Sequence, residues 1–144
     1  MTTLVIDASV AAKWFLPGTA EPNRDQALDI LKSYVKGDIR FVVPDLFWAE
    51  LGNVFWKAAR QDRWSEADAE IAIHALLERK FPTVSSFSLL EEAFRISAIY
   101  DRSVYDAIYV ALALASVSEL VTADERLANS LAAHLPVKWL GSWI

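Results

Sequence analysis

In 144 residues, 54% of them hydrophobic and 23% charged, the chain has the apolar material for one compact domain over 1–144 and too much for a disordered segment. It has no cysteine, which excludes disulfides and thiolate metal sites and fits a reducing cytoplasm. A net charge of −5 argues against nucleic acid held by surface charge alone, the longest purely apolar run (Ala107 to Ala115) is too short to cross a bilayer, and no basic stretch followed by an apolar one marks a signal peptide at the N-terminus.

Strand-like and helical stretches alternate. Leu4–Ile6 reads as a first strand that runs into Asp7, and Ala8–Phe15 as a helix. A second helix is expected over Asn23–Val35, stopped by Gly37, and a second strand over Phe41–Val43. Leu46–Gln61 is predicted helical, with Asp45 as its N-cap, and Glu66–Arg79 follows the cap residue Ser65. Thr83–Phe87 reads as a strand, and Leu89–Tyr100 as a helix behind Ser88, with Glu91 three residues on in a capping-box pattern. Val104–Ala115 follows Ser103, Leu120–Thr122 is a strand, Glu125–Ala133 a helix behind Asp124, and Val137–Leu140 a weak last strand. Strands alternating with helices of this length predict an α/β domain with a parallel sheet, and the unbroken apolar runs of the strands suit a sheet covered on both faces. The helix through Ala107–Ala115 is apolar all round and is expected to be deeply buried.

Four acids stand out against this apolar background. Asp7 and Asp124 follow strands, where ligands bind in open parallel sheets, although each also precedes a helix and could act as its N-cap. Glu50 lies inside a helix whose neighbouring positions Leu46, Phe47 and Val54 are apolar, a costly place for a carboxylate that has no partner, unless it reaches the edge of the stripe. Asp106 opens the most apolar helix, where it could simply complement the helix dipole. If the four converge, their mutual repulsion raises their pKa values unless a hard divalent cation, Mg²⁺ or Mn²⁺, is bound among them. The two histidines, His74 and His134, lie away from these motifs and read as surface or structural residues.

The stretches VIDASVAAKWFLP, PDLFWAELGNVFWKAAR, YDAIYVALA and LVTADERLA, in that order over nearly the whole chain, resemble the PIN-domain family, and within it the VapC-type toxin ribonucleases of toxin–antitoxin pairs. The resemblance implies a three-layer α/β/α sandwich with a central, mostly parallel sheet, and a metal-dependent endoribonuclease using Mg²⁺ or Mn²⁺. It carries the metal-binding and catalytic acids onto Asp7, Glu50, Asp106 and Asp124, and gives Ser9 and Thr122 the task of orienting water or a carboxylate. On this reading Asp7 and Asp106 are the principal ligands, Asp124 a further one, and Glu50 the group that holds or deprotonates the attacking water. Gly18 stands where relatives often carry an acid, and Asp45 and Glu125 are extra acids beside the motifs. The resemblance also implies an RNA substrate, a cognate antitoxin and a homodimer, and composition adds the expectation of a cytoplasmic protein without a membrane span.

Lys57, Arg60 and Arg63 recur at three-residue spacing beyond Glu50, while Lys13 follows the first motif and Arg126 the last, so these five are the candidates for RNA-backbone contact. Phe47, Trp48 and Phe55 read as core, and Trp14, Phe15, Trp56 and Trp64 as a binding patch, for a protein partner or for stacking on unpaired bases. Other readings remain: a DNA nuclease of the same fold, or a binding module that kept the fold without the activity. An aspartyl-phosphate phosphatase fits less well, because Ser9 stands where its second acid belongs, and a phosphoacceptor receiver domain lacks its acid pair.

Overall fold

The computed structural model describes residues 2–18 and 21–144. The elements in chain order are β1 (Thr2–Ile6), α1 (Ala8–Ala12), α2 (Arg24–Val35), β2 (Ile39–Pro44), α3 (Leu46–Arg60), α4 (Glu66–Glu78), β3 (Thr83–Val84), α5 (Ser86–Tyr100), α6 (Val104–Ala115), β4 (Glu119–Thr122), α7 (Glu125–Leu131) and β5 (Val137–Trp139), before a 3₁₀ turn at Leu140–Ser142. The five strands form one parallel sheet in the order β3-β2-β1-β4-β5. The chain leaves β1 for β2 on one side and returns to pair β4 with β1 on the other, so the order reverses between β1 and β4. That reversal opens a crevice beyond the carboxyl ends of the two strands.

The sheet is covered on both faces, which the strand sequences require: Leu4, Val5 and Ile6 point alternately to opposite faces and all three are buried. Helix α6 crosses β1, β2 and β4, and every residue from Ala107 to Ala113 is buried. Its alanines bring the α6 backbone close to the strands. A second part of the core is aromatic. Phe41 of β2 stacks on Tyr34 with 4.7 Å between ring centroids and on Trp14 at 5.6 Å, and it meets the edge of Phe81 at 5.4 Å.

Several local expectations are corrected. Strand β3 stops at Val84, and α5 begins at Ser86, because Ser85 rather than Ser88 is the cap. The Ser85 hydroxyl accepts from the Phe87 amide at 3.1 Å, and the Ser88 hydroxyl donates back to the Ser85 carbonyl at 2.8 Å. Each serine of SSFS is a competent cap, and the end of β3 decides which one is used. Asp45 stands at the N-cap position of α3 as expected, but its backbone is already helical and its side chain makes no capping bond, accepting instead from the Ser86 hydroxyl at 3.4 Å. Helix α1 ends at Ala12, with Lys13–Phe15 in a turn.

Trp14 belongs to the core and not to a binding patch, with its indole N–H donating to the Ala27 carbonyl at 2.9 Å. Phe15 and Trp64 pack against Phe55, and the Trp64 indole N–H donates to the Phe55 carbonyl at 3.1 Å. Of the four residues assigned to the patch, Trp56 is the one left exposed.

Two of the expected RNA contacts are also committed elsewhere. Lys13 is buried, and its Nζ lies 3.0 Å from Glu21 Oε1. Arg63 Nη2 lies 3.0 Å from Glu21 Oε2 and donates to the Pro17 carbonyl at 3.3 Å. Burial pushes the Glu21 carboxyl up, but its bonds to Lys13 and Arg63 outweigh burial and hold its pKa below the ordinary value. This network ties the segment after α1 to the end of α3. Lys57, Arg60 and Arg126 are exposed.

Candidate active site

The four acids come from four elements and line one crevice of about 280 Å³, together with Ser9, Asn53, Val54, Tyr109 and Leu127. A larger hollow beside Pro17 and Arg24, about 530 Å³, has no comparable gathering of acids from separate elements.

Asp7 is delivered by the end of β1 and doubles as the N-cap of α1. Its carboxylate accepts from the Ser9 amide at 3.1 Å and from the Ser9 hydroxyl. The same hydroxyl accepts from the Ala123 amide at 3.2 Å, which joins the start of α1 to the segment after β4 across the switch point. Burial raises the Asp7 pKa to about 6; the bonds from Ser9, Thr122 and the Val10 amide pull it down, and the charge of Glu50 adds to the rise. Thr122 is fully buried beside Asp7, and its Oγ accepts from the Asp124 amide at 3.1 Å.

Glu50 sits on the first turns of α3 at the edge of the apolar stripe. Its Oε1 accepts from the Tyr109 hydroxyl at 2.6 Å. Burial raises the Glu50 pKa, the Tyr109 bond lowers it, and the charge of Asp106 raises it again. Asp106 lies in the first turn of α6, its amide capped by the Ser103 hydroxyl at 3.1 Å. Burial raises its pKa, Arg102 lowers it, and Asp124 raises it. Asp124 is the N-cap of α7, and its Oδ1 accepts from the Leu127 amide at 3.2 Å. The charges therefore influence one another in sequence around the crevice: Asp7 with Glu50, Glu50 with Asp106, Asp106 with Asp124.

Each carboxylate has its own protein partner: Ser9 for Asp7, Tyr109 for Glu50, Arg102 for Asp106 and the Leu127 amide for Asp124. Among the described residues no three acidic or histidine side chains are drawn close enough to grip one ion as they stand. The donor chemistry nevertheless suits a hard cation. It offers carboxylate and hydroxyl oxygens only, and neither histidine lines the crevice; His74 pairs with Glu78 on the surface.

Tyr109 was not anticipated from the sequence. It lies one turn beyond Asp106, so both face the crevice, and its burial followed by the bond to Glu50 raises its pKa well above the ordinary tyrosine value. The available signal was a hydroxyl at i+3 from an acid in an otherwise apolar helix. In Tyr109→Phe, Glu50 loses the bond that lowers its pKa, so the acidic limb of any activity that needs ionised Glu50 should move to higher pH, with a rate loss of about tenfold at neutral pH. A pH–rate profile of the variant checks this.

Comparison with known proteins fits this geometry. Residues 4–130 match the model of the PIN domain. Ribonuclease VapC9 of Mycobacterium tuberculosis is 34% identical over 137 residues, covering 93% of this chain and 95% of its own. Ribonuclease VapC3 of Pyrobaculum aerophilum is 30% identical over 132 residues, covering 90% and 95%. Among solved structures, PAE2754 of Pyrobaculum aerophilum superposes with a TM-score of 0.71 at 21% identity, over 98% of this chain and 91% of that one. A toxin–antitoxin complex from Klebsiella pneumoniae superposes with a TM-score of 0.62 at 18% identity, over 94% and 95%, which supports the fold alone. With four acids from separate elements at the switch point of an all-parallel sheet, and relatives of this identity along nearly its whole length, the chain belongs to the PIN-domain family, in its VapC group.

Proposed function

We propose that the protein is a divalent-metal-dependent endoribonuclease, the toxin of a toxin–antitoxin pair, acting in the cytoplasm. The observation that carries this reading is the convergence of Asp7, Glu50, Asp106 and Asp124 on one oxygen-lined crevice. Asp7 and Asp106 would hold Mg²⁺ or Mn²⁺, with Asp124 as a further ligand. Bound there, the cation would supply Lewis acidity that activates water and offsets the charge of the phosphodiester.

The chain's own residues do the rest. Glu50 accepts a proton from the attacking water as a bond from water oxygen to phosphorus forms and the bond to the leaving oxygen breaks. Tyr109 fixes the Glu50 carboxylate for that task. Ser9 and Thr122 orient Asp7, and Ser9 also fixes the backbone before Asp124. On α3, Lys57 lies two turns beyond Glu50 on the same face, about 10 Å along the axis, where it can meet a phosphate next to the scissile one. Arg126, in the first turn of α7 after Asp124, and Arg60, whose guanidinium lies over the Trp56 ring at 5.7 Å, are further candidates for the RNA backbone.

An antitoxin and a second copy of the chain are proposed as protein partners. Support for the first is the apolar groove between α3 and α4, lined by Phe55, Trp56, Ala69 and Ile73, and for the second the exposed α5 stripe of Phe87, Leu90 and Phe94. The direct test is cleavage of RNA and of single-stranded DNA by the purified protein, with Mg²⁺, with Mn²⁺ and with EDTA. RNA cut only in the presence of metal supports the reading. Cutting that persists in EDTA removes the metal mechanism, and a preference for DNA favours a DNA nuclease of the same fold.

A further inference from the structure

Arg102 is the one basic side chain, among the described residues, paired with an acid of the crevice. It lies in the turn between α5 and α6, and its Nη2 is 3.8 Å from Asp106 Oδ2. This is not the geometry of a structural ion pair. A built pair of arginine and carboxylate is commonly bidentate, with contacts of about 2.8 Å, whereas this one is single and at the outer limit. Arg102 Nε is also buried without a hydrogen-bond partner. A guanidinium left partly unsatisfied in a half-buried position, with only a quarter of its side chain exposed, is costly to keep for stability alone.

Its position gives it another role. Asp106 faces charge from Glu50 and Asp124 around the crevice, and Arg102 is the positive charge that offsets it. A divalent cation needs the same carboxylate. Two positive groups competing for one carboxylate oppose each other through Coulomb repulsion, so the pair and the bound cation are antagonistic.

We propose that Arg102 is a resident counter-ion that competes with the divalent cation for Asp106 and so sets the metal affinity of the crevice. This inference rests on the metal-dependent reading above. It makes Arg102 a positioning residue: the guanidinium stabilises the metal-free acids and gives way as the ion arrives. It also predicts an effect of unusual sign, since deleting a residue beside the site should tighten binding there.

The test is Mn²⁺ binding to the full chain, followed through the electron paramagnetic resonance signal of free Mn²⁺, for the wild type, R102A, R102Q and R102K. Both neutral variants should bind Mn²⁺ about three- to tenfold more tightly than the wild type, which corresponds to a pair worth about 0.7 to 1.4 kcal/mol. R102K keeps the charge and should stay within about twofold of the wild type. Melting curves identify which variants fold, and R102Q, which keeps much of the side chain, stands in if R102A does not. Unchanged or weaker Mn²⁺ binding in the neutral variants overturns the proposal, as does a lysine variant that behaves like alanine. Wild-type protein that binds no Mn²⁺ overturns the metal reading itself, and Arg102 with it, an outcome distinct from equal binding by all four proteins.

Discussion

Asp7→Asn is expected to lower RNA cleavage by at least about a hundredfold while leaving the protein folded and, without metal, more stable than the wild type. The second half follows from burial. The Asp7 pKa is raised from 3.8 to about 6 in the folded protein, so folding must tolerate a half-buried, poorly solvated charge at neutral pH. A shift of this size costs about 2–3 kcal/mol above pH 6. The folded state holds the Asp7 proton more tightly than the unfolded state does. Metal-free stability therefore rises as the pH falls from 7 through about 6 toward 4, and Glu50 and Asp106, also raised, add to the same trend. Glu21 works in the opposite direction: its lowered pKa contributes stability that is lost as the pH falls below its ordinary value of 4.5. Stability in EDTA should thus peak in mildly acid solution and fall on either side. Asparagine at position 7 keeps an oxygen to accept from Ser9 and removes the half-buried charge, which raises the neutral-pH melting temperature by about 5–10 °C. Melting curves between pH 4 and 8, in EDTA, read both effects. A variant that unfolds would instead mark Asp7 as indispensable to the fold through its cap of α1.

Phe41→Ala should have the largest effect on stability of any single truncation in the aromatic core. Phe41 is 1% exposed and touches Trp14, Tyr34 and Phe81, which come from the turn after α1, from α2 and from the segment before β3. Truncating a buried phenylalanine costs about 3–5 kcal/mol, because the lost transfer energy is joined by the cavity left behind. Here the rings are pinned: the Trp14 indole is bonded to Ala27, and Arg79 lies over Tyr34 at 5.9 Å. They cannot easily close the gap, so the cost should lie at the upper end, a fall in melting temperature of about 10 °C or more. β2 pairs directly with β1, which runs into Asp7, so cleavage should fail at temperatures where the wild type still works. Urea unfolding separates this loss of stability from a direct effect on the site, since activity measured well below the melting point should remain close to wild type.

The strands and long helices were legible because their signals are local. Apolar runs of both-face strands, and the all-apolar span of α6, need no tertiary knowledge to interpret. The four acids were legible for the complementary reason: each breaks an apolar pattern or follows a strand, and the sheet order then brings their segments to one crevice. What remained hidden depends on contacts distant in sequence. Lys13 reads as a surface cation until Glu21 and Arg63 are seen around it. Trp14 reads as a patch residue until Phe41 and Ala27 enclose it. The choice of Ser85 over Ser88 as cap depends on where β3 stops, and the partnership of Tyr109 with Glu50 joins residues 59 apart in sequence.

Crystals soaked in Mn²⁺ and measured at the manganese absorption edge offer the most direct test of whether these acids hold a cation. An anomalous peak is expected in the crevice, within coordinating distance of oxygens of both Asp7 and Asp106, with the Asp106 carboxylate turned away from Arg102. A protein that cleaves RNA with Mn²⁺ yet shows its only manganese outside this crevice, with the four carboxylates still on their own partners, would contradict it.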